Sequence, residues 1–270
     1  MNNIGSVASL FRYPVKSMAG EQIESTLINK KGVIGDRKYA LIDTKTGKIV
    51  SAKNPRKWPN IFKYYAKYIS EPTEYNHADI EIIFPNNLNI KSTQEDVNEV
   101  LSSAFNAEIK LTSTVPKKVQ LEEYFADIEE IQQHDSVSDA NMAEGTFFDL
   151  GMIHLLTTST IKKFEELYPD GDFHIKRFRP NIVINLNSKE IGFIENKWIG
   201  KNIAIGDEVI LKIKEPCPRC VMTTLEQDDL PKDINILKTI LKNNSGNLGI
   251  YADVVRGGTI KDNDLITILE

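Results

Sequence analysis

The chain has 270 residues, 41% of them hydrophobic and 26% charged, with a formal net charge of −5, which allows one large or two ordinary domains with a sizeable core. The acidic balance gives no basic field for nucleic acid or an anionic membrane, so the expected partner is a small molecule or another protein. Residues Met1 to Val7 lack the basic and apolar regions of a secretion signal, and no stretch approaches the ~18 apolar residues of a spanning helix, so the expected compartment is the cytoplasm.

In chain order, Ser6–Tyr13, Gln22–Ile28, Lys38–Asp43 and Lys48–Ser51 read as short strands rich in β-branched and aromatic residues, with a hairpin turn at Thr44–Gly47. Strands so close together, without helical periodicity between them, predict an antiparallel barrel or sandwich. Lys63–Ile69, Asp79–Phe84 and Glu108–Leu111 continue the pattern. Thr93–Phe105 reads as a helix, with Ser92 or Thr93 as its cap. Residues 117–146 are polar and weakly periodic and read as a linker holding a domain boundary. Beyond it come a strand at Ile153–Thr158, a helix at Thr160–Tyr168, and a strand at Arg177–Asn185 that opens with two arginines. Strand pattern returns over Lys201–Ile213, with Gly206-Asp207 as its turn. A helix at Ile234–Leu241, a strand at Gly249–Val255, a turn-rich link over Gly257–Asp264 and a strand at Leu265–Leu269 complete a mostly β chain with several helices.

Lys214–Thr224 holds both cysteines, Cys217 and Cys220. In a reducing compartment, thiols three apart point to a ligand or reactive group and away from a structural disulfide. Zinc would need two more N or S ligands, and the chain offers only the scattered His77, His134, His154 and His174. A thioredoxin-type pair would need a helix start, and Val221-Met-Thr-Thr224 is β-branched. A single thiolate on a soft metal, with the other ligands supplied by a cofactor, is a third reading. Simple burial of two small residues is a fourth.

Cations gather at strand-to-turn junctions: Lys16 beside Ser17 after Tyr13-Pro-Val, Arg37 after Gly32–Asp36, Arg177 and Arg179 before Pro180, and Arg219 between the cysteines. Lysine supplies a point charge and arginine a bidentate fork for phosphate or carboxylate oxygens, so four such clusters predict one anionic site. No Walker loop or complete dinucleotide fingerprint is present, which disfavours ordinary ATP or NAD binding. Adjacent acids such as Glu122-Glu123 and Glu165-Glu166 read as solvated pairs.

Taken together, Leu10–Ser17, Gly35–Asp43, Arg177–Ile184, Trp198–Gly200, Ile205–Asp207, Cys217–Thr224 and Gly249–Tyr251 resemble the MOSC-domain proteins that carry an N-terminal MOSC β-barrel domain. The resemblance is strongest to the mitochondrial amidoxime reducing component and its bacterial relatives. It implies a β-barrel-like N-terminal domain over 1–118 and a β-barrel MOSC domain over 119–270. It also implies a molybdenum–molybdopterin cofactor whose metal is ligated by Cys220, the catalytic centre, with Cys217 left to packing. Lys16, Ser17 and Arg37 would grip the pterin and its phosphate, Arg179 would add a contact, and Pro218, Arg219 and Tyr251 would line the metal side. Similarity around Asp149–Gly151 is thin.

The implied activity is reduction of N-oxygenated small molecules by oxygen-atom removal, fed by a separate electron-donor protein. The alternative is a non-catalytic molybdopterin or sulfur carrier. Pyridoxal phosphate binding attaches to such sequences by family association alone. Two departures stand out: Pro218 replaces a small polar residue between the cysteines, and no cysteine-rich extension follows, so an appended iron–sulfur domain is not expected.

Overall fold

Two-residue periodicity in the apolar residues builds most of this protein. The structure is a computed structural model that describes residues 2–76, 78–117, 120–129, 135–142 and 145–269. Among them it is mostly β with three α-helices, α1 Val97–Phe105, α2 Thr158–Leu167 and α3 Ile234–Asn244. The chain divides into two compact units that are not consecutive blocks. One comprises Met1–Phe11, Gln22–Ile34 and Gly151–Glu270, the other Arg12–Glu21 and Gly35–Leu150.

The first unit contains a closed seven-stranded barrel. Its strands are β1 Asn2–Arg12, β2 Ile153–Thr157, β3 Ile182–Leu186, β4 Asn202–Ile205, β5 Val209–Pro218, β6 Asn247–Arg256 and β7 Leu265–Leu269. They pair in the order β3-β2-β6-β5-β4-β7-β1, and β1 returns to β3. Closure removes the exposed sheet edges. The N-terminal strand is a stave of this barrel because Val7 lies opposite Ile184 and Ser6 opposite Leu265. Strands β2 and β3 run parallel, with Leu155 opposite Ile182; parallel neighbours need a crossover, and α2 supplies it. Successive side chains on a strand face opposite ways. Leu155 therefore joins Val7, Ile203, Leu211 and Ile250 in the barrel core, whereas Leu156 packs outward with Ile161 and Phe164 of α2 and Ile236 and Ile240 of α3. Burying a side chain such as Phe164 stabilises by about 1.5–3 kcal/mol.

The second unit pairs Ile109–Thr112, Ala40–Asp43, Lys48–Ile49, Gln120–Phe125 and Ser136–Asn141 in one sheet, and Tyr65–Tyr68, Ile80–Ile83 and Asn89–Lys91 in another. The hairpin expected at Thr44–Gly47 is present, with Asp43 opposite Lys48.

Several expectations fail for identifiable reasons. Within the stretch read as a linker, Gln120–Phe125 and Ser136–Asn141 form an antiparallel pair; Leu121 is the one buried residue among them, so alternation is too weak to mark them. Helix α1 starts at Val97, after Asp96, and the Ser92 hydroxyl read as its cap instead accepts from the Ile80 amide at 3.1 Å. Residues Gly258–Lys261, read as part of a turn, pair with Ser25–Asn29. The strand expected from Arg177 begins at Ile182, and Ile175–Arg177 is a 3-10 turn. Strand β5 runs past Ile213 as far as Pro218.

Candidate functional site

The predicted site residues fall into two clusters, one in each unit. In the second unit, the turn after Tyr13 carries Lys16 and Ser17, both buried. Lys16 donates from Nζ to the Phe147 carbonyl at 3.0 Å and to Asp149 Oδ1 at 2.8 Å. Burial holds the Lys16 ammonium below its usual range, and Asp149 opposes that shift. Burial pushes the Asp149 carboxyl up, but Lys16, then Lys53 and Arg37, override it and hold the group at about 2.

Arg37 is paired with Asp36, and its guanidinium lies 4.7 Å from the centre of the Tyr13 ring. Asp36 accepts the Tyr13 amide at 2.8 Å, and the Arg37 amide donates to the Tyr13 carbonyl at 2.7 Å. These bonds draw the turns at 13–17 and 36–37 together. The Ser17 hydroxyl accepts from the Ala52 amide at 3.1 Å, so this oxygen is engaged in the fold. Lys16 is ion-paired with Asp149, which the sequence supports only thinly, and Arg37 with Asp36; both cations act on the Asp149 carboxyl.

Backbone conformation marks the same residues. Ser17, Arg37 and Arg179 have φ of 65°, 47° and 54°, a left-handed region that costs a non-glycine residue about 1–3 kcal/mol and persists only where surrounding contacts hold it.

The first unit carries the cysteines. Pro216 and Pro218 interrupt the β5–β6 ladder, whose register shifts at both Ile213/Glu215 and Pro216/Pro218, because proline has no amide hydrogen to donate. Cys217 is fully buried, and Cys220 is half-buried. Arg219 donates from Nη1 to Cys217 Sγ at 2.8 Å and from Nη2 to the Phe178 carbonyl at 2.9 Å. Burial pushes the Cys217 thiol up, but Arg219, followed by His154 and Tyr251, overrides this and holds it below the ordinary thiol range. The expectation that Cys217 only packs is corrected: it is an acceptor in a cationic network.

His154 is buried, with Nε2 3.2 Å from the Leu248 carbonyl and its ring 5.7 Å from that of Tyr251. A Cβ at Gly249, where φ is +78°, would stand 2.2 Å from His154 Nε2. This close approach gives the Gly249-Ile-Tyr251 motif a physical reason. No sequence signal separates His154 from the other histidines. His77 and His134 lie outside the described residues, and His174 serves as the cap of the 3-10 turn, accepting from the Lys176 amide at 3.2 Å.

After Cys220 the chain makes a four-residue 3-10 turn, Val221–Thr224. The Thr223 hydroxyl donates to the Cys220 carbonyl at 3.0 Å and that of Thr224 to the Val221 carbonyl at 2.8 Å, which is how a β-branched sequence sustains a helical turn.

Arg177, read as an anion contact, is 0% exposed. It donates from Nε to the Asp172 carbonyl at 2.8 Å, from Nη1 to those of Thr223 and Leu225 at 3.5 and 3.1 Å, and from Nη2 to that of Pro231 at 2.7 Å. Its fork is spent on the backbone, so it is removed from the anion-binding set. Arg179 is buried, Tyr251 is half-buried, and Pro218 is exposed. Among the described residues, no group of three or more His, Cys, Asp or Glu side chains could hold a metal ion. Nor is any described helix long and apolar enough to cross a membrane.

Residues 4–115 match the MOSC N-terminal beta barrel domain and residues 146–267 match the MOSC domain. A curated relative, molybdenum cofactor sulfurase of Bombyx mori, is 30% identical over 118 residues, which make up 41% of this chain and 13% of the relative. The chain therefore spans a small part of that protein's length. Among solved structures, the YuaD protein of Bacillus subtilis aligns with a TM-score of 0.49 at 11% identity, over 98% of this chain and 95% of that one. YiiM of Geobacillus stearothermophilus aligns with a TM-score of 0.33 at 20% identity, over 44% of this chain and 55% of that one.

Proposed function

Because the chain belongs to the MOSC-domain proteins that carry an N-terminal MOSC β-barrel domain, we propose that it binds a molybdenum–pterin cofactor through Cys220 and reduces N-oxygenated small molecules. The observation that carries this reading is the chemistry of the thiol corner. Cys220 is half-buried at the end of an extended strand, beside an arginine whose Nε is buried and has no hydrogen-bond partner. A thiolate suits a soft metal, and a buried donor left over in the folded protein suits an added acceptor.

When bound, such a group supplies the two-electron chemistry of oxygen-atom removal. The chain's own residues present the Cys220 sulfur and hold Arg219 between Cys217 and the Phe178 carbonyl; Tyr251, which acts on Cys217, and Arg179 are further proposed contacts. Pro218, exposed beside the thiol, is proposed to border the metal side. In the other unit, Lys16, Ser17 and Arg37 form a cluster whose proposed ligand is a phosphate-bearing group. An anion there would compete with Asp149 for the same cations. Electrons are proposed to come from a separate protein.

Protein made in a host that synthesises the cofactor is expected to retain molybdenum and pterin near one per chain. Cys220→Ala should lose the metal, and Cys217→Ala should largely keep it. With a chemical reductant, the loaded protein should turn over an N-hydroxylated compound. Wild-type protein without molybdenum overturns the reading, as does retention by Cys220→Ala with loss by Cys217→Ala. Retention without turnover of any N-oxygenated compound would make the protein a carrier.

A further inference from the structure

Buried arginines usually meet carboxylates. Arg177 meets four backbone carbonyls, and three of them, Thr223, Leu225 and Pro231, belong to the segment that follows Cys220. The fourth is that of Asp172, just before the 3-10 turn that Arg177 itself ends. A four-residue 3-10 turn such as Val221–Thr224 leaves its carbonyls without helical partners and has poor hydrogen-bond geometry of its own. Burying a charge to satisfy them is costly where an apolar side chain could pack. The arrangement is therefore best understood by what it holds still.

We propose that Arg177 is a positioning residue for Cys220, acting through Thr223. Arg177 Nη1 holds the Thr223 carbonyl at 3.5 Å. Thr223 holds the Cys220 carbonyl twice, from its amide at 3.2 Å and from its hydroxyl at 3.0 Å. On the other side, the Arg219 amide is tied to the Gly246 carbonyl at 2.8 Å. Cys220 is thus pinned on its N-terminal side by the strand and on its C-terminal side by a guanidinium that cannot lose its charge. The planar fork matters as much as the charge, because it reaches the Thr223, Leu225 and Pro231 carbonyls and that of Asp172 at once.

This inference rests on Cys220 being the metal ligand, but its test does not need the metal. In cofactor-free full-length protein, Arg177→Met is expected to raise both Cys220 alkylation by iodoacetamide and amide exchange over Val221–Leu225 roughly tenfold or more, while exchange in barrel strand β6 stays unchanged. Arg177→Lys, which keeps the charge and loses the fork, should fall between Met and wild type. In loaded protein, either variant should alter the electron paramagnetic resonance signature of the paramagnetic metal state. Three outcomes overturn the proposal: unchanged alkylation and exchange in folded variants, a rise spread evenly over the barrel, or failure of both variants to fold. If wild-type protein never takes up molybdenum, the functional reading fails on its own, and alkylation and exchange still decide the role of Arg177.

Discussion

The cationic cluster around Asp149 and the corner around Cys217 both bury charge, yet they balance it with different partners. In the first, Lys16 and Arg37 meet carboxylates, Asp149 and Asp36. In the second, Arg177 and Arg219 meet backbone carbonyls and a thiol. A carboxylate partner makes a cluster sensitive to acid and open to exchange for another anion. Carbonyl partners cannot titrate, so the guanidiniums of the cysteine corner serve geometry, and the charge of Arg219 acts on the Cys217 sulfur.

The largest effect that would break this contrast is expected at Asp149. Asp149→Asn leaves the Lys16 ammonium buried without its counter-ion. It should cost about 2 kcal/mol in urea unfolding at neutral pH, less than a fully buried pair because the Asp149 side chain is 29% exposed. The folded carboxyl titrates at about 2, below its unfolded value, so this stability is fully present above roughly pH 4 and is lost as pH falls through about 2. The gap between wild type and Asp149→Asn should close over that window. A gap that persists in acid would show that packing, not charge, holds the cluster.

Next in size, Cys217→Ala should cost about 1–2 kcal/mol, because Arg219 Nη1 loses its acceptor in a buried setting. Thiolate absorbance near 240 nm should show a titration below the ordinary thiol range that vanishes in this variant and moves up in Arg219→Leu. A titration that survives Arg219→Leu unshifted would place the stabilising charge elsewhere.

The smallest expected effect lies outside both clusters, at Glu195, a buried carboxyl held by the hydroxyls of Thr157 and Thr160 at 2.7 Å each. Burial raises its folded pKa above the unfolded value, so its favourable contribution is present in acid and lost as pH rises through the folded pKa. Glu195→Gln should change midpoint stability by under about 1 kcal/mol near pH 4 and remove that downward slope. An unchanged slope would assign the pH dependence to another group.

Much of the fold is legible along the chain, because barrel strands such as Val209–Ile213 alternate buried and half-buried positions. The polar pair at 120–125 and 136–141 is not, because it buries almost nothing. In the candidate site, the turns carrying Lys16 and Arg37 are legible from their residue types. The roles of His154 and Asp149 are not, since each depends on a partner far away in sequence. Arg177 shows the limit most clearly: an arginine in a polar turn ahead of a strand looks like a surface cation, and its four carbonyl partners reveal otherwise.

The sequence by itself determined the mostly β class and the pair of cysteines at a strand end, which follow from local periodicity and residue spacing, and its motifs carried the MOSC resemblance. The tertiary structure decided that β1 belongs to the C-terminal barrel, that Cys217 is a hydrogen-bonded acceptor while Cys220 is half-buried, and that Arg177 is structural. The physical reason is that strand pairing, burial and charge balance arise between residues distant in the chain, and side-chain type alone does not say which partner a buried charge will find.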